Sequence, residues 1–140
     1  SAAADMTQCI RLAPDRHLNY YRRGKLYNGL KRYADAVADF REGLQIVEKL
    51  SGNIELPQND LRTEIAKNLA LDGKFGDAFA MFDLALSAKS PSYITYHERG
   101  KAYLLKGDLA KAEADFRKAI EVGRGYNPSA DELRKMGKTP

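Results

Sequence analysis

YITYHERGKAYLLKGDLAKAEADFRKAI, residues Tyr93 to Ile120, holds two amphipathic segments separated by Lys106-Gly107-Asp108. In the first, Tyr96, Gly100 and Tyr103 are spaced by four and three residues and share one helical face. In the second, Leu109, Ala112, Phe116, Ala119 and Ile120 do the same. Gly107 suits the left-handed residue that closes one helix, and Asp108 the cap that opens the next. The spacing predicts a helix–turn–helix hairpin whose small residues mark where helices come closest.

The stretch has copies. A shift of 34 residues lays Gly107-Asp108-Leu109 on Gly73-Lys74-Phe75, Ala112 on Ala78, Phe116 on Phe82 and Ala119-Ile120 on Ala85-Leu86. A further shift of 42 reaches Tyr33, Ala36, Phe40 and Gly43-Leu44. One more of 34 lands on Ala2, Met6 and Cys9-Ile10, with Pro14 ending the segment. The triplets Ala4-Asp5-Met6, Ala38-Asp39-Phe40 and Ala114-Asp115-Phe116 nearly coincide. The first helices repeat as well: Tyr20, Gly24 and Tyr27 match Tyr96, Gly100 and Tyr103, while the middle copy, with Arg62, Ala66 and Leu69, keeps only size and periodicity.

At these residues the chain resembles the tetratricopeptide repeat family, whose pattern of about 34 residues runs W-x₂-L-G-x₂-Y, A-x₃-F, P. Tyr20 and Tyr96 stand for the aromatic, Gly24 and Gly100 for the glycine, and Tyr27 and Tyr103 for the tyrosine. Ala36, Ala78 and Ala112 match the alanine, Phe40, Phe82 and Phe116 the aromatic after it, and Pro14 the final proline. Arg23 and Arg99 replace the leucine, and packing by the neighbouring tyrosines is expected to compensate. Lys31 stands where the hairpin breaker belongs, two residues after Gly29. The resemblance implies an all-α fold, a right-handed superhelical solenoid of about three and a half repeats. The expected organisation is a half repeat over 1–14, repeats over 17–50, 59–92 and 93–126, and an insert over 51–58 that forms a loop ending at Pro57. Residues 127–140 form a C-terminal capping helix and tail, with Ser129 and Glu132 at capping-box spacing and Leu133 and Met136 covering the last repeat. Beginning inside a repeat, the chain reads as a fragment of a longer protein or as one with a bare first helix. A bare apolar face invites self-association.

Composition is compatible with this. Apolar residues make up 44% of the 140, enough for a packed core, and no run reaches the roughly 18 apolar residues of a membrane span. The net charge of +4 comes without a block of five like charges, which argues against nucleic acid as a partner. A single cysteine, Cys9, excludes an intrachain disulfide without fixing the compartment. It aligns with Gly43, Ala85 and Ala119 and reads as a small buried packing residue.

Catalytic patterns are missing. The two histidines, His17 and His97, fall in different repeats, and no H-E-x-x-H, G-x-S-x-G or G-x-x-x-x-G-K-[ST] occurs. The expectation is a non-catalytic chain with no cofactor and no metal.

The family resemblance implies that first helices line a concave groove for a protein or peptide partner. The groove set chosen on this basis is Tyr21, Lys25, Asn28, Lys67, His97 and Lys101. Lys25, Lys67 and Lys101 occupy one equivalent position, about 10 Å apart at ordinary helix spacing, and form a basic ladder suited to an acidic segment. Some members of the family clamp chaperone C-termini with lysine, asparagine and arginine at set positions. Here Tyr21, Lys25, Glu64, Ile94 and Glu98 stand there, so no such clamp is expected. The alternatives are self-assembly through the incomplete N-terminal repeat and service as the accessory domain of a larger enzyme.

Overall fold

The computed structural model describes residues 1–51 and 55–140. Among them run eight helices and no strand: α1 (Ala2–Leu12), α2 (His17–Gly29), α3 (Tyr33–Ser51), α4 (Glu55–Leu71), α5 (Phe75–Leu86), α6 (Tyr93–Lys106), α7 (Leu109–Val122) and α8 (Asn127–Lys135). Helices α2–α3, α4–α5 and α6–α7 are hairpins stacked in chain order into an α solenoid. α1 precedes them in the role of a second helix, and α8 follows in line with the first helices α2, α4 and α6.

The hairpin turns share one hydrogen-bond pattern. In α6–α7, Gly107 takes φ 91° and the Asp108 amide donates to the Tyr103 carbonyl, while the Asp108 side chain caps α7 at the Lys111 amide. Gly73, at φ 79°, repeats the left-handed residue in α4–α5, with Lys74 N–H donating to Leu69. In α2–α3 that residue is Lys31, held at φ 60°, with Arg32 N–H donating to Tyr27. The turn tolerates a side chain at a place where glycine costs nothing.

Each hairpin closes over a phenylalanine. Phe40, Phe82 and Phe116 are fully buried. An added Cβ on Gly24 would lie 2.8 Å from the Phe40 ring, and one on Gly100 would lie 2.8 Å from the Phe116 ring. The two glycines let the helices approach until the ring rests on backbone. The middle hairpin has Ala66 in that slot, itself fully buried, and surrounds Phe82 with Phe79, Met81 and Ile65.

Arg23 and Arg99 have a use beyond the tyrosine packing expected for them. Arg23 donates from Nε and Nη2 to the two carboxylate oxygens of Asp39, both at 2.7 Å, and from Nη1 to Thr7 Oγ1 at 3.1 Å. Arg99 forks Asp115 at 2.8 Å twice and reaches Asp83 at 3.0 Å. Each guanidinium ties the second helix of its own hairpin to the second helix before it. Asp39 and Asp115 are buried, so the bidentate geometry is what makes their charge tolerable. Hydrogen bonding to these aspartates lifts both guanidinium pKa values against the opposing effect of burial.

Three expectations need correction. α4 starts at Glu55, so Pro57 lies in its first turn, where a missing N–H costs no helical bond, and does not end a loop. Of the expected insert, residues 52–54 lie outside the described residues. Cys9 is exposed. Its counterpart Gly43 is enclosed because His17 and Tyr20 of α2 stand on one side and Leu61 of α4 on the other; α1 packs on α2, and no described helix stands on its other side. Ser129 does not cap α8. Tyr126 is the N-cap, with Pro128 in the first turn, and Ser129 is buried against α6. Leu133 of α8 is fully buried, packed with the buried Phe116 and Ala112 and the partly buried Met136.

Candidate functional site: the groove of the first helices

The first helices meet one another through polar side chains that repeat with the hairpins. Between α2 and α4, Asn28 Nδ2 donates to Asn68 Oδ1 at 2.7 Å, and Lys25 Nζ pairs with Glu64 Oε1 at 3.3 Å. Between α4 and α6, the Thr63 and Thr95 hydroxyls lie 2.8 Å apart. Thr63 already donates to the Asn59 carbonyl, which makes Thr95 the donor to Thr63. Between α6 and α8, His97 Nδ1 and Ser129 Oγ lie 2.8 Å apart. His97 occupies the repeat position of Thr63, and Ser129 that of Thr95.

This seam redistributes the six residues expected in the groove. His97 is buried, with its ring against Phe116 and edge-on to Tyr126, and keeps little surface open to solvent. Its pKa is lowered by burial and by Lys101 and Lys67, against the pull of Glu98 and Glu132, so the ring is neutral at pH 7. Asn28 is engaged by Asn68. Tyr21 packs against Phe40 and the central core, and burial, Glu64 and Asp60 raise its pKa. Lys25 remains partly exposed but is held by Glu64; burial lowers its pKa, and Glu64 with Tyr21 and Glu98 more than restores it. The helix period had put all of these on one face. Neighbouring first helices share part of that face, which the period alone does not reveal.

Lys67 and Lys101 stand differently. They line an open groove of about 310 Å³ with Ala70, Leu71, Glu98, Ala102, Leu104, Leu105 and Glu132. The floor is apolar, and Leu71 and Leu105 keep exposed surface. Among the described residues, Lys67, Lys101 and Glu98 make no ion pair or side-chain hydrogen bond, while Glu132 pairs with Lys135 on its own helix at 3.4 Å. The ladder is therefore not simply basic: a glutamate accompanies each lysine from the next helix along, Glu64 to Lys25, Glu98 to Lys67 and Glu132 to Lys101. Glu132 was missed as a wall of the groove. It lies 34 residues after Glu98, a periodicity that carries α8 into the repeat series.

No metal-ligand grouping of three or more His, Cys, Asp or Glu occurs among the described residues, and none of their helices is long and apolar enough to cross a membrane. Stacked helical hairpins with an open groove across their first helices define a helical-repeat protein. Residues 19–48 and 93–125 each match a family model described as tetratricopeptide repeat, in register with α2–α3 and α6–α7. These two hairpins are tetratricopeptide repeats, and the matches support a tetratricopeptide repeat family protein.

One solved structure, a tetratricopeptide repeat protein from Parabacteroides merdae ATCC 43184, is 23% identical with a TM-score of 0.46. That likeness covers 94% of this chain and 62% of the other, so the chain spans less than two thirds of that protein's length. No curated protein matches the chain. Tetratricopeptide repeats generally mediate protein–protein interaction, and proteins built from them are typically non-catalytic scaffolds.

Proposed function

We propose that this chain is a non-catalytic interaction scaffold that holds a segment of a partner protein in the groove of α4, α6 and α8. The observation that carries the reading is the combination there of an apolar floor, exposed Leu71 and Leu105, and three charged groups, Lys67, Lys101 and Glu98, that form no ion pair among the described residues. Stacked hairpins hold that groove preformed, so a segment binds without the cost of ordering the scaffold. Relative to the six-residue set, the site moves toward the C-terminal half: Lys67 and Lys101 stay, joined by Leu71, Glu98 and Leu105. Lys25, Asn28, Tyr21 and His97 hold the stack together.

Affinity capture with wild-type chain and with a Leu71→Glu/Leu105→Glu variant tests it. Both positions are exposed, so the variant should keep its melting temperature and lose the captured partner. A partner retained at full strength by the variant would place binding elsewhere.

A second reading, self-association, rests on α1, where Leu12 is 77% exposed and Cys9 and Asp5 are open to solvent. Sedimentation that shifts with concentration, and that Leu12→Glu abolishes, would favour it. A monomer at every concentration would remove it.

A further inference from the structure

The groove's unpartnered charges are of both signs, and this says more about its occupant than the groove's existence does. Lys67 and Lys101 are equivalent residues on neighbouring helices, and Glu98 lies one turn before Lys101, about 4.5 Å along α6. Neighbouring helices stand roughly 8–10 Å apart. An extended chain in the polyproline II form advances about 3.1 Å per residue, so three residues, one full turn, take it from one helix to the next. With three residues per turn, side chains three apart share one edge, which lets that edge face the lysines while the two residues between them face Glu98 and the floor.

The three junctions between first helices support this selectively. At α2–α4 the Lys25–Glu64 pair and the Asn28–Asn68 bond close the surface. At the α4–α6 and α6–α8 junctions the positions of Asn28 and Asn68 are taken by Ala70 and Ala102, then by Leu104 and Met136. Those apolar residues cannot bridge, and the corresponding lysines and Glu98 are left without ion pairs among the described residues. Each such charge faces an apolar floor that lowers the local dielectric, so a complementary charge there is worth more than on open surface.

Resting on the groove reading above, we propose that the occupant is an extended segment carrying charges of both signs. It has acidic residues three apart for Lys67 and Lys101, with a basic residue for Glu98 and an apolar residue for the Ala70–Ala102–Leu105 floor between them. A uniformly acidic segment would satisfy both lysines but would set a carboxylate beside Glu98. A uniformly basic one fails on the lysines.

Selection of random dodecapeptides by display on the full chain tests this, with parallel selections on Glu98→Lys and Leu71→Glu/Leu105→Glu variants of unchanged helicity. Wild type should enrich peptides with the acid–base–apolar–acid composition over four residues. Resynthesised winners should weaken about tenfold when the basic residue becomes alanine, the size of one charge-assisted bond at a shielded site. The Glu98→Lys chain should drop the basic residue and accept an acidic one in its place. Wild type enriching uniformly acidic peptides, or Glu98→Lys leaving the basic preference intact, overturns the two-sign occupant while leaving the groove as the docking site. Winners that bind the Leu71→Glu/Leu105→Glu chain as well as wild type would overturn the groove reading itself.

Discussion

The outer hairpins, α2–α3 and α6–α7, and the middle hairpin, α4–α5, fill the same slot by opposite means. In the outer two, an arginine from the first helix forks a buried aspartate on the second, beside a glycine that admits the phenylalanine ring. The middle copy has Ile65 in the arginine's place, Ala66 in the glycine's and Met81 in the aspartate's. Ile65 and Ala66 are fully buried and Met81 packs on the same cluster. Both charges are present together or absent together, because a lone buried charge has no stable arrangement. A well-packed apolar pair and a bidentate ion pair are each acceptable; half of either is not.

The largest effects should come from mixing the two solutions. Ile65→Arg, which places a guanidinium against Met81 with no carboxylate, should lower unfolding free energy by about 3–5 kcal/mol. Arg99→Ile should cost about as much by stranding Asp115, and the double change Arg99→Ile/Asp115→Met, importing the middle solution, should recover most of it. Urea melts of the two singles and the double complete the cycle. Additivity would mean that the pair does not act as a unit.

Next comes the glycine that separates the copies. Gly100→Ala pushes a methyl group to 2.8 Å from the Phe116 ring and should cost about 1–3 kcal/mol. Ala66→Gly in the middle hairpin should cost only about 1 kcal/mol, from helix propensity and a lost buried methyl. Near-equal losses in thermal melts would show that the ring does not rest on the glycine.

The turns also differ among the copies. Lys31 stands at φ 60° where Gly73 and Gly107 stand in the others, so Lys31→Gly should stabilise the chain by about 1 kcal/mol.

The seam between first helices supplies the smallest change at neutral pH. His97–Ser129 occupies the position of Thr63–Thr95, and only the former can take up a proton. The His97 pKa is lowered in the folded chain, so below the ordinary value of about 6.5 the unfolded chain binds the proton first. Stability should therefore fall as pH drops from about 6.5 toward the folded pKa, and be unaffected by this group above that. His97→Thr should flatten that part of the pH–stability curve, and an unchanged slope would sink the assignment.

Most of the fold was legible because each hairpin repeats the same local instructions. The tyrosine–glycine–tyrosine face, the alanine–phenylalanine face and the turn at Gly107 are short-range patterns, readable from helical spacing and confirmed by copies in register. The start of α4 was less so, since Pro57 reads as a loop residue until its place in a first turn is known. The arginines were visible only as departures from a pattern, although Asp39 and Asp115 stood in the repeated triplets sixteen residues later. Pairing a residue on one helix with a residue on the next requires knowing how the helices face each other. The candidate site was legible in part for the same reason: helix periodicity grouped Tyr21, Asn28 and His97 with the lysines on one face without showing that neighbouring elements would bury His97 and engage Tyr21 and Asn28.

By itself the sequence determined a stack of α-helical hairpins, their order, and which small residues lie at the close contacts. Those properties depend on interactions within one or two helical turns, and periodicity records them directly. Only the tertiary structure decided which polar side chains bind across the stack, that Cys9 is open to solvent, that α8 supplies Glu132 to the groove, and that Lys67, Lys101 and Glu98 form no ion pair among the described residues. Those properties depend on the approach of helices thirty or more residues apart, where a few ångströms separate a closed pair from a free charge.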